Sequence, residues 1–339
     1  MENVKPLKEM NAEDVQAASL LFKEALQQAR KDAAKPLVVS IMGQTGVGKS
    51  SLLNKLFHTN LPTSDDQPCT KEITPVHIDG FFKDRLLFYD LPGIGEAEEP
   101  DARYLEQYRE MLLTSDVVLW AIHADNRSIT FDLQALNKII APFNDQQKGV
   151  LMSKITLVLT KADMIEPDPW ILIKLEQEAM FQPQSKTQDL LARKAQYYQK
   201  SFIRPFGHLL TSETYNDSNF TINITPFSSS QFIVKYNGFM DQGMLTQFKQ
   251  QYPQQSALLE RLYSNYQVIA CSAHYRYNLT QLMLVIINKL GRDAIARFSD
   301  FVKQGSLNCL PFQQGRSYYN FVIVDQGGRK LFDLKDQRL

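Results

Sequence analysis

The sequence predicts an α/β fold built on a doubly wound, mostly parallel sheet. Strand-like and helix-like runs alternate from residue 37 to about residue 160, which is the pattern of such sheets. Two of the strand-like runs, Val117–Ile122 and Ile155–Leu159, are mostly apolar without alternation, as expected for strands covered on both faces. A glycine-rich turn joins the first strand-like run to a helix-like run, and it carries the strongest functional motif of the chain.

Each element of the alternating region is predicted from its own residues. Apolar, β-branched and aromatic runs predict strands, whereas apolar residues at spacings of three and four predict helices. The predicted strands are Leu37–Met42, Thr74–Ile78, Arg85–Tyr89, Val117–Ile122 and Ile155–Leu159. The predicted helices are 11–33, Ser50–Phe57, 101–113 and 131–141.

The alternation stops near Pro167 and resumes at Gln267–Cys271, the expected last core strand, which a helix over 279–302 follows. The polar, Gln- and Tyr-rich segment between them is interpreted as a partly helical insertion. Its predicted elements are two helices within about 170–205, a strand near Phe220–Phe227 and a helix near Met244–Tyr263. Near the end of the chain, two apolar runs around Gly327-Gly328 predict a β-hairpin.

Length and composition fit one or two domains with a substantial core, since the chain has 339 residues of which 44% are hydrophobic. The motifs and the change of pattern divide it further. The predicted organisation is an N-terminal helix at 1–35, an α/β domain that carries the glycine-rich turn at 36–167 and 267–304, the insertion at 168–266 and a C-terminal tail at 305–339.

The charge balance argues against a nucleic-acid-binding function. Lys and Arg together number 37, as do Asp and Glu, so the basic footprint of a nucleic-acid partner is not supported. Three scattered cysteines suggest neither a disulfide framework nor a zinc site and favour a reducing compartment. The N-terminus has no apolar signal region, and no apolar run approaches the roughly 20 residues that span a bilayer. We therefore expect a cytoplasmic protein without stable membrane insertion.

The glycine-rich turn GQTGVGKSS matches the phosphate-loop pattern G-x-x-x-x-G-K-[ST]. Glycines let the backbone wrap around phosphate oxygens, and the following helix directs its N-terminal dipole at the same charge. Lys49 is expected to reach the β- and γ-phosphates, and the Ser50 hydroxyl to bind Mg²⁺. A chance match in a glycine-containing turn is the alternative. The predicted nucleotide-binding residues of this turn are Gly43, Gln44, Thr45, Gly46, Val47, Gly48, Lys49, Ser50 and Ser51.

A second motif, Asp90-Leu91-Pro92-Gly93, follows the strand predicted at Arg85–Tyr89. An aspartate at the end of a strand beside the phosphate loop can hold Mg²⁺ through water, and the N–H of Gly93 can meet the γ-phosphate. Taken alone, D-x-x-G is a weak signal, and a strand-ending turn is the better interpretation of it. It gains weight from its place after a phosphate loop.

A third motif, Thr160-Lys161-Ala162-Asp163, follows the strand predicted at Ile155–Leu159. The Asp163 carboxylate can accept two hydrogen bonds from guanine N1–H and N2–H, a donor pair that adenine does not offer. A site built for paired hydrogen bonds discriminates strongly, so Asp163 would select GTP over ATP. The Lys161 stem can lie over the base. The alternative is an exposed, helix-starting turn.

A fourth, weaker signal is Cys271-Ser272-Ala273, which follows the last predicted core strand. Backbone N–H groups of Ser272 and Ala273 are expected to meet the guanine O6. The rival for this loop is 225–229, the stretch TPFSS.

These motifs, each at a strand end and in this order, resemble the translation-factor class of GTPases. The phrases GQTGVGKSSLLNKLF, DLPGIGE, WAIHADNRS and TKADMIEP look like the Era-like branch, and most like the bacterial YfjP-type subgroup often labelled "50S ribosome-binding GTPase". The resemblance covers about residues 36–166 and 267–302. It implies a P-loop GTPase sheet with the insertion placed before the last core strand, and bound GTP or GDP with Mg²⁺.

The resemblance also implies site residues. Thr70 occupies the place where such proteins carry a threonine that binds Mg²⁺ in the triphosphate state, with Thr74 as the alternate. The implied metal ligands are Ser50, Thr70 and Asp90, and the implied catalytic residues are Lys49, Thr70 and Gly93.

Two departures from the family pattern bear on turnover. Ile94 stands where Ras-like enzymes place a water-orienting glutamine. Gly46 stands where some Era-like proteins carry an asparagine that helps hold potassium. We therefore expect slow hydrolysis of GTP to GDP in a nucleotide-dependent switch, with an unknown protein effector or self-association completing the site. The alternative is a GTP-dependent assembly module with negligible intrinsic hydrolysis.

The stretch Asp125-Asn126-Arg127 also resembles the subgroup and permits two interpretations. Asp125 can cap the next helix. Alternatively, Arg127 supplies positive charge to a neighbouring phosphate site, as in a dimer.

Overall fold

The computed structural model describes residues 36–57, 59, 61, 74–76, 86–91, 102–165, 170–290, 307–315, 317–318 and 321–333. The chain divides into two compact units, Met1–Pro36 and Leu37–Leu339, and all described elements belong to the second. The helix predicted at 11–33 lies outside the described residues, as do Thr70, Gly93 and Ile94.

The strands of the described residues run from the phosphate loop to the tail. In chain order they are β1 (Leu37–Gly43), β2 (Thr74–Val76), β3 (Leu86–Asp90), β4 (Val117–His123), β5 (Ile155–Thr160), β6 (Trp170–Lys174), β7 (Glu178–Gln182), β8 (Thr211–Tyr215), β9 (Phe227–Ser229), β10 (Ile233–Asn237), β11 (Ile269–Ala270), β12 (Cys309–Pro311), β13 (Phe321–Val324) and β14 (Lys330–Asp333).

The α-helices of the same residues are α1 (Lys49–Phe57), α2 (Ala102–Thr114), α3 (Thr130–Ile140), α4 (Asp145–Lys154), α5 (Ser185–Tyr198), α6 (Gln242–Gln251), α7 (Ser256–Ser264), α8 (Leu279–Leu290) and the single turn α9 (Phe312–Gly315). A π-helical segment, Gln199–Ile203, continues α5, and a 3₁₀ segment, Arg204–Leu209, follows it.

The central sheet has the strand order β11-β5-β4-β1-β3-β2. All neighbouring strands run parallel except β2, which pairs antiparallel with β3. The first strand lies inside the sheet and the chain winds outward from it in both directions. The predicted doubly wound, mostly parallel fold is therefore confirmed.

The two faces of this sheet belong to two apolar clusters. Along β4, Trp120 and Ile122 point into the cluster shared with α3, α4 and the insertion, while Leu119 and Ala121 point into the cluster shared with α1 and α8. All four residues are fully buried. Coverage on both faces explains why β4 and β5 are continuous apolar runs rather than alternating ones.

The start of the insertion differs from the sequence prediction. Two helices were expected within about 170–205, but β6 and β7 form an antiparallel hairpin there, and only α5 with its π-helical continuation is helical. The alternate burial along β6, with Trp170 and Leu172 inside, fits a strand with one covered face. The predicted strand near Phe220–Phe227 is also wrong in position, because β9 begins only at Phe227.

The tail hairpin is confirmed, since β13 and β14 pair antiparallel around the Gly327-Gly328 turn. The tail is joined to the insertion in a sheet of order β12-β7-β6-β13-β14. A smaller antiparallel sheet, β8-β10-β9, lies within the insertion. The domain boundaries given above stay a prediction. In the part of the chain that the structure describes, no helix combines the length and apolar character needed to cross a bilayer.

Candidate nucleotide-binding site

The glycine-rich turn lies at the carboxyl end of β1, in the middle of the central sheet, and leads directly into α1. Gly43 has φ of 141°, and a Cβ placed on it would lie 2.1 Å from the carbonyl oxygen of Ala121 in β4. Only glycine fits this close approach of two parallel strands. The turn is thereby fixed against its neighbour before it reaches the helix.

Two further glycines adopt left-handed backbone conformations, with φ of 75° at Gly46 and 92° at Gly48. Such residues turn successive N–H groups to one side of the chain, which is the geometry of an anion nest. Gly46 is exposed, and nothing would lie within 4 Å of a Cβ placed on it. The turn therefore presents open backbone to a ligand.

Lys49 and Ser50, which close the phosphate motif, both make side-chain hydrogen bonds at the turn. The Lys49 ammonium donates to the backbone carbonyls of Gly43 at 3.2 Å and Gln44 at 3.3 Å, so it is folded back over the turn. The Ser50 hydroxyl donates to Oδ2 of Asp90 at 3.3 Å, which joins the first and second motifs. Lys49 and Asp90 are both buried.

The pair Ser50 and Asp90 fits Mg²⁺ by the chemistry of its donors. Mg²⁺ prefers hard oxygen ligands and is usually held by one or two protein oxygens together with phosphates and water. Thr74, the alternate switch threonine, is paired with Asp90 across β2 and β3, so it belongs to the same edge of the sheet. Thr70 and Gly93 stay predictions, because they lie outside the described residues.

The third motif is tied to the turn by hydrogen bonds. The buried Thr160 hydroxyl has the carbonyls of Val47 at 2.5 Å and Ile122 at 3.1 Å as acceptors. Lys161 adopts φ of 54°, and its side chain passes 3.5 Å from the position of a Cβ on Gly48. The lysine stem therefore lies beside the glycine turn, and its predicted contact with a base stays a prediction.

Asp163 lies in the short 3₁₀ turn Ala162–Met164 and is partly exposed. Burial raises the pKa of the Cys271 thiol and that of the Tyr275 hydroxyl, and the nearby Asp163 carboxylate raises both further. At His123 burial lowers the pKa most, followed by Lys161, while Asp125 and Asp163 oppose them. The third and fourth motifs are therefore neighbours.

The fourth motif is held against β5 by backbone contacts. The N–H of Cys271 donates to Leu159 at 2.8 Å, and the N–H of Ala162 donates to Cys271 at 3.1 Å. Ser272 is fully buried, and its hydroxyl accepts from the N–H of Tyr275 at 2.9 Å. Ala273 follows on the same loop. The rival stretch 225–229 contributes β9 to the insertion sheet instead.

Sequence reasoning missed one buried side chain of the site. Asp132, in the first turn of α3, accepts a hydrogen bond from Nε2 of Gln44 in the glycine turn at 3.2 Å. No pattern identifies it, because an acidic residue in the first helical turn is common for electrostatic reasons alone.

The interpretation of Asp125 as a helix cap is wrong. The N-cap of α3 is Ile129, and no side chain caps it. Asp125 and Arg127 are both exposed on the loop that precedes α3. The proposed role of Arg127 at a neighbouring site stays a prediction.

A parallel sheet whose first strand ends in a phosphate loop, with an Mg²⁺-type oxygen pair beside it, defines the class of P-loop nucleotide-binding proteins. Within that class, residues 38–161 match the model of the family described as 50S ribosome-binding GTPase. The resemblance to Era-like and YfjP-type bacterial GTPases is thereby confirmed for this segment.

Curated relatives agree with the family match. The chain is 36% identical over 169 residues to the uncharacterized protein YkfA of Escherichia coli K12, covering 49% of this chain and 56% of the relative. It is 34% identical over 143 residues to the uncharacterized protein YfjP of the same organism, covering 42% and 47%. The chain thus spans about half the length of the curated relatives that it matches.

Solved structures that match part of the chain include a dimerization-deficient mutant of Toc33 from Arabidopsis thaliana. That structure has 22% identity and a TM-score of 0.38, over 54% of this chain and 68% of the other. Era in complex with MgGDPNP and part of 16S ribosomal RNA has 18% identity and a TM-score of 0.38, over 74% and 56%.

Proposed function

We propose that the chain binds GTP with Mg²⁺, hydrolyses it slowly to GDP and acts as a nucleotide-dependent switch. One observation supports this most: the glycine turn and the Thr160–Asp163 motif meet, through the Thr160–Val47 hydrogen bond and the Lys161 stem beside Gly48. A phosphate-binding end and a base-binding end therefore share one site.

At the phosphate end, the backbone N–H groups of the turn and the N-terminus of α1 bind the β- and γ-phosphates. Lys49 donates to main-chain carbonyls within the turn, which are weaker acceptors than a phosphate oxygen. It moves onto the phosphates when the nucleotide enters. Ser50 and Asp90 would hold Mg²⁺, which would neutralise charge on the phosphates.

At the base end, Asp163 accepts from the paired N–H groups of guanine, and Lys161 covers the ring. The backbone N–H of Ala273 meets O6 of the base, whereas the predicted contact from Ser272 is not supported, because the Ser272 N–H donates to the carbonyl of Tyr277 at 3.1 Å. Tyr275 of this loop stacks on Phe181 of β7, with ring centroids 4.1 Å apart, and this contact packs the loop against β7. Adenine would leave the Asp163 carboxylate without its paired donors, which disfavours ATP.

Turnover is expected to be slow, because Ile94 has no group that orients water. An effector or a second copy of the chain supplies the missing group. The same residue favours the second candidate, a GTP-dependent assembly module with negligible intrinsic hydrolysis.

Equilibrium binding of GTP and ATP in the presence of Mg²⁺ tests the proposal. We expect the wild type to prefer GTP by at least about a hundredfold, as paired hydrogen bonds allow. Lys49→Met, which keeps the length of the side chain without its charge, should weaken GTP binding strongly. The exposed Lys55→Met in α1 serves as the matched control. Equal affinity for ATP and GTP would refute the base assignment.

Single-turnover phosphate release separates the two candidates. A slow but measurable release by the isolated protein supports the switch enzyme, and release that accelerates with protein concentration supports self-association. Tight GTP binding without release at any concentration supports the assembly module.

A further inference from the structure

The side chain of Asp132 is a buried carboxylate that is hydrogen-bonded to the glycine turn. Asp132 is 1% exposed, and both of its oxygens are engaged. Oδ2 accepts from Nε2 of Gln44 at 3.2 Å, and Oδ1 accepts from Nε1 of Trp120 at 3.0 Å. The two donors are neutral, and none of the ion pairs in the described part of the chain includes Asp132. A buried acid held in this way is costly, so stability alone does not explain its presence.

Gln44 connects this carboxylate to the charged end of the site. Its backbone carbonyl accepts from the Lys49 ammonium at 3.3 Å, while its side-chain amide donates to Asp132. The carbonyl and the amide belong to one residue. Lys49 and Asp132 therefore contact the same residue of the turn, one through its backbone and the other through its side chain.

On its other side, the carboxylate contacts the insertion through Trp120. The Trp120 ring packs edge-on against Phe202, with ring centroids 4.9 Å apart. Phe202 belongs to the π-helical segment Gln199–Ile203, a local irregularity of the kind often found at functional sites. The Tyr198 hydroxyl, one turn earlier, is buried without a hydrogen-bond partner in the described part of the chain. Burial and the nearby Asp132 raise the pKa of this hydroxyl to about 12.

We propose that Asp132 is a positioning residue that holds Gln44 in the phosphate loop and couples nucleotide binding to the insertion through Trp120 and Phe202. The inference rests on the proposed nucleotide site. When a phosphate arrives, Lys49 leaves the Gln44 carbonyl and the turn relaxes around Gln44. The Asp132 carboxylate then moves with the Gln44 amide that it accepts from. This movement changes the hydrogen bond that the Trp120 indole N–H donates to Asp132. The insertion thereby senses whether the loop is occupied.

Tryptophan fluorescence tests the coupling directly, because the chain has only two tryptophans, Trp120 and Trp170. In a Trp170→Phe background, Trp120 reports alone. Titration with GDP and with the non-hydrolysable analogue GMPPNP, each with Mg²⁺, should change Trp120 emission in a saturable manner. Gln44→Leu removes the amide but keeps the size of the side chain. We expect it to abolish the emission change and to weaken binding about tenfold, the effect of one hydrogen bond to a charged group.

Two further variants separate positioning from mere structural support. In Asp132→Asn, the new amide oxygen still accepts from Trp120, and the new NH₂ group can donate to Gln44 once the Gln44 amide has flipped. The nucleotide affinity of this variant should therefore stay within about threefold of the parent. Asp132→Leu can make neither hydrogen bond and should weaken nucleotide binding as much as Gln44→Leu does. Tyr198→Phe, which alters the surroundings of Asp132 without touching Gln44, should leave nucleotide affinity unchanged. Affinities are measured with a fluorescent GDP analogue, independently of Trp120.

The outcomes distinguish this inference from the proposed function. If the parent binds nucleotide but Gln44→Leu keeps its affinity and its Trp120 response, the positioning role is overturned while the nucleotide site stands. If the parent binds no guanine nucleotide, the proposed function fails and the coupling fails with it.

Discussion

At the scale of single residues, Gly43 and Gly46 serve the glycine turn for different reasons. Gly43 is required by its neighbour, because a Cβ would be forced into the carbonyl oxygen of Ala121 at 2.1 Å. Gly46 is required only by its backbone conformation, since no atom would lie within 4 Å of its Cβ. The sequence motif requires glycine at position 43 but not at position 46, and it does not reveal which cause applies.

We therefore predict unequal effects of two alanine substitutions. Gly43→Ala should lower the free energy of unfolding by about 3 kcal/mol or more, because a backbone clash between β1 and β4 cannot relax cheaply. Gly46→Ala should cost only about 1–2 kcal/mol of left-handed strain. Urea unfolding of both variants measures the difference. Equal losses would contradict the structural distinction.

The residues of the site are predictable from the sequence where chemistry dictates both the residue type and the spacing. Lys49, Ser50, Asp90 and the loop after β5 are found together, and the Lys161 side chain lies beside Gly48 of the turn. Asp132 was not predictable, because its importance comes from the three-dimensional meeting of α3 with the glycine turn. Thr70, Gly93 and Asp163 keep their predicted roles as hypotheses.

At the scale of elements, α4 was missed by sequence reasoning for a physical reason. Its sequence, DQQKGVLMSK, has few apolar positions and an internal glycine, both of which weaken a helix signal. The glycine is there for packing, because a Cβ on Gly149 would lie 2.6 Å from the carbonyl oxygen of Leu209. A capping box formed by Asn144 and Gln147 begins the helix. Local capping and a long-range contact together offset the poor intrinsic propensity.

The C-terminal end of α4 depends on a lysine from another helix. Lys289 of α8 donates to the carbonyls of Ser153 at 3.1 Å and Ile155 at 2.5 Å, at the junction of α4 and β5. Burial lowers the pKa of Lys289 to about 7, far below the ordinary value of 10.5. Either protonation state can donate both hydrogen bonds, so the contact survives deprotonation.

This lysine predicts a pH-dependent stability. Between pH about 7 and 10.5 the unfolded chain binds a proton at Lys289 that the folded chain does not, so the unfolding free energy rises with pH through this group. Lys289→Met lacks the term. We therefore expect the stability of the wild type relative to Lys289→Met to increase from pH 7 to pH 9, measured by denaturant unfolding. A constant or falling difference would contradict the assignment.

At the scale of the whole molecule, the insertion and the tail are built into one sheet. The hairpin β6–β7 pairs with β12 on one side and with the β13–β14 hairpin on the other. These partners are separated by more than a hundred residues of sequence, and β8 to β11 intervene. The tail is therefore part of the same folded body as the insertion rather than an appendage.

A pair of leucines in the tail tests this arrangement. Leu310 in β12 is 1% exposed, whereas Leu331 in β14 is 51% exposed. We predict that Leu310→Ala lowers the unfolding free energy by about 2–5 kcal/mol through loss of buried contacts, and that Leu331→Ala changes it by less than about 0.5 kcal/mol. Chemical denaturation followed by circular dichroism gives both values. A negligible effect of Leu310→Ala would show that the tail does not contribute to the core.

The whole-molecule fold was predictable only where partners are close in sequence. The alternating half of the central sheet and the tail hairpin follow from local patterns, and both are found. The sequence pattern at 170–182 predicts helix instead of the observed hairpin, because the strand character of this hairpin is stabilised by distant partners in the tail. Tertiary context overrides local propensity for strands of this kind.

The central claim is that a single site binds phosphates at the glycine turn and guanine at Asp163. Comparing GTP and xanthosine triphosphate binding by the wild type and Asp163→Asn tests it most directly. The amide still accepts from N1–H of the base, but its NH₂ group donates where the second carboxylate oxygen accepted, which suits the C2 carbonyl of xanthine and not the N2–H of guanine. The account predicts that the wild type prefers GTP and that Asp163→Asn shifts this preference toward xanthosine triphosphate, with its fold retained. An unchanged preference for GTP in a folded Asp163→Asn variant would contradict it.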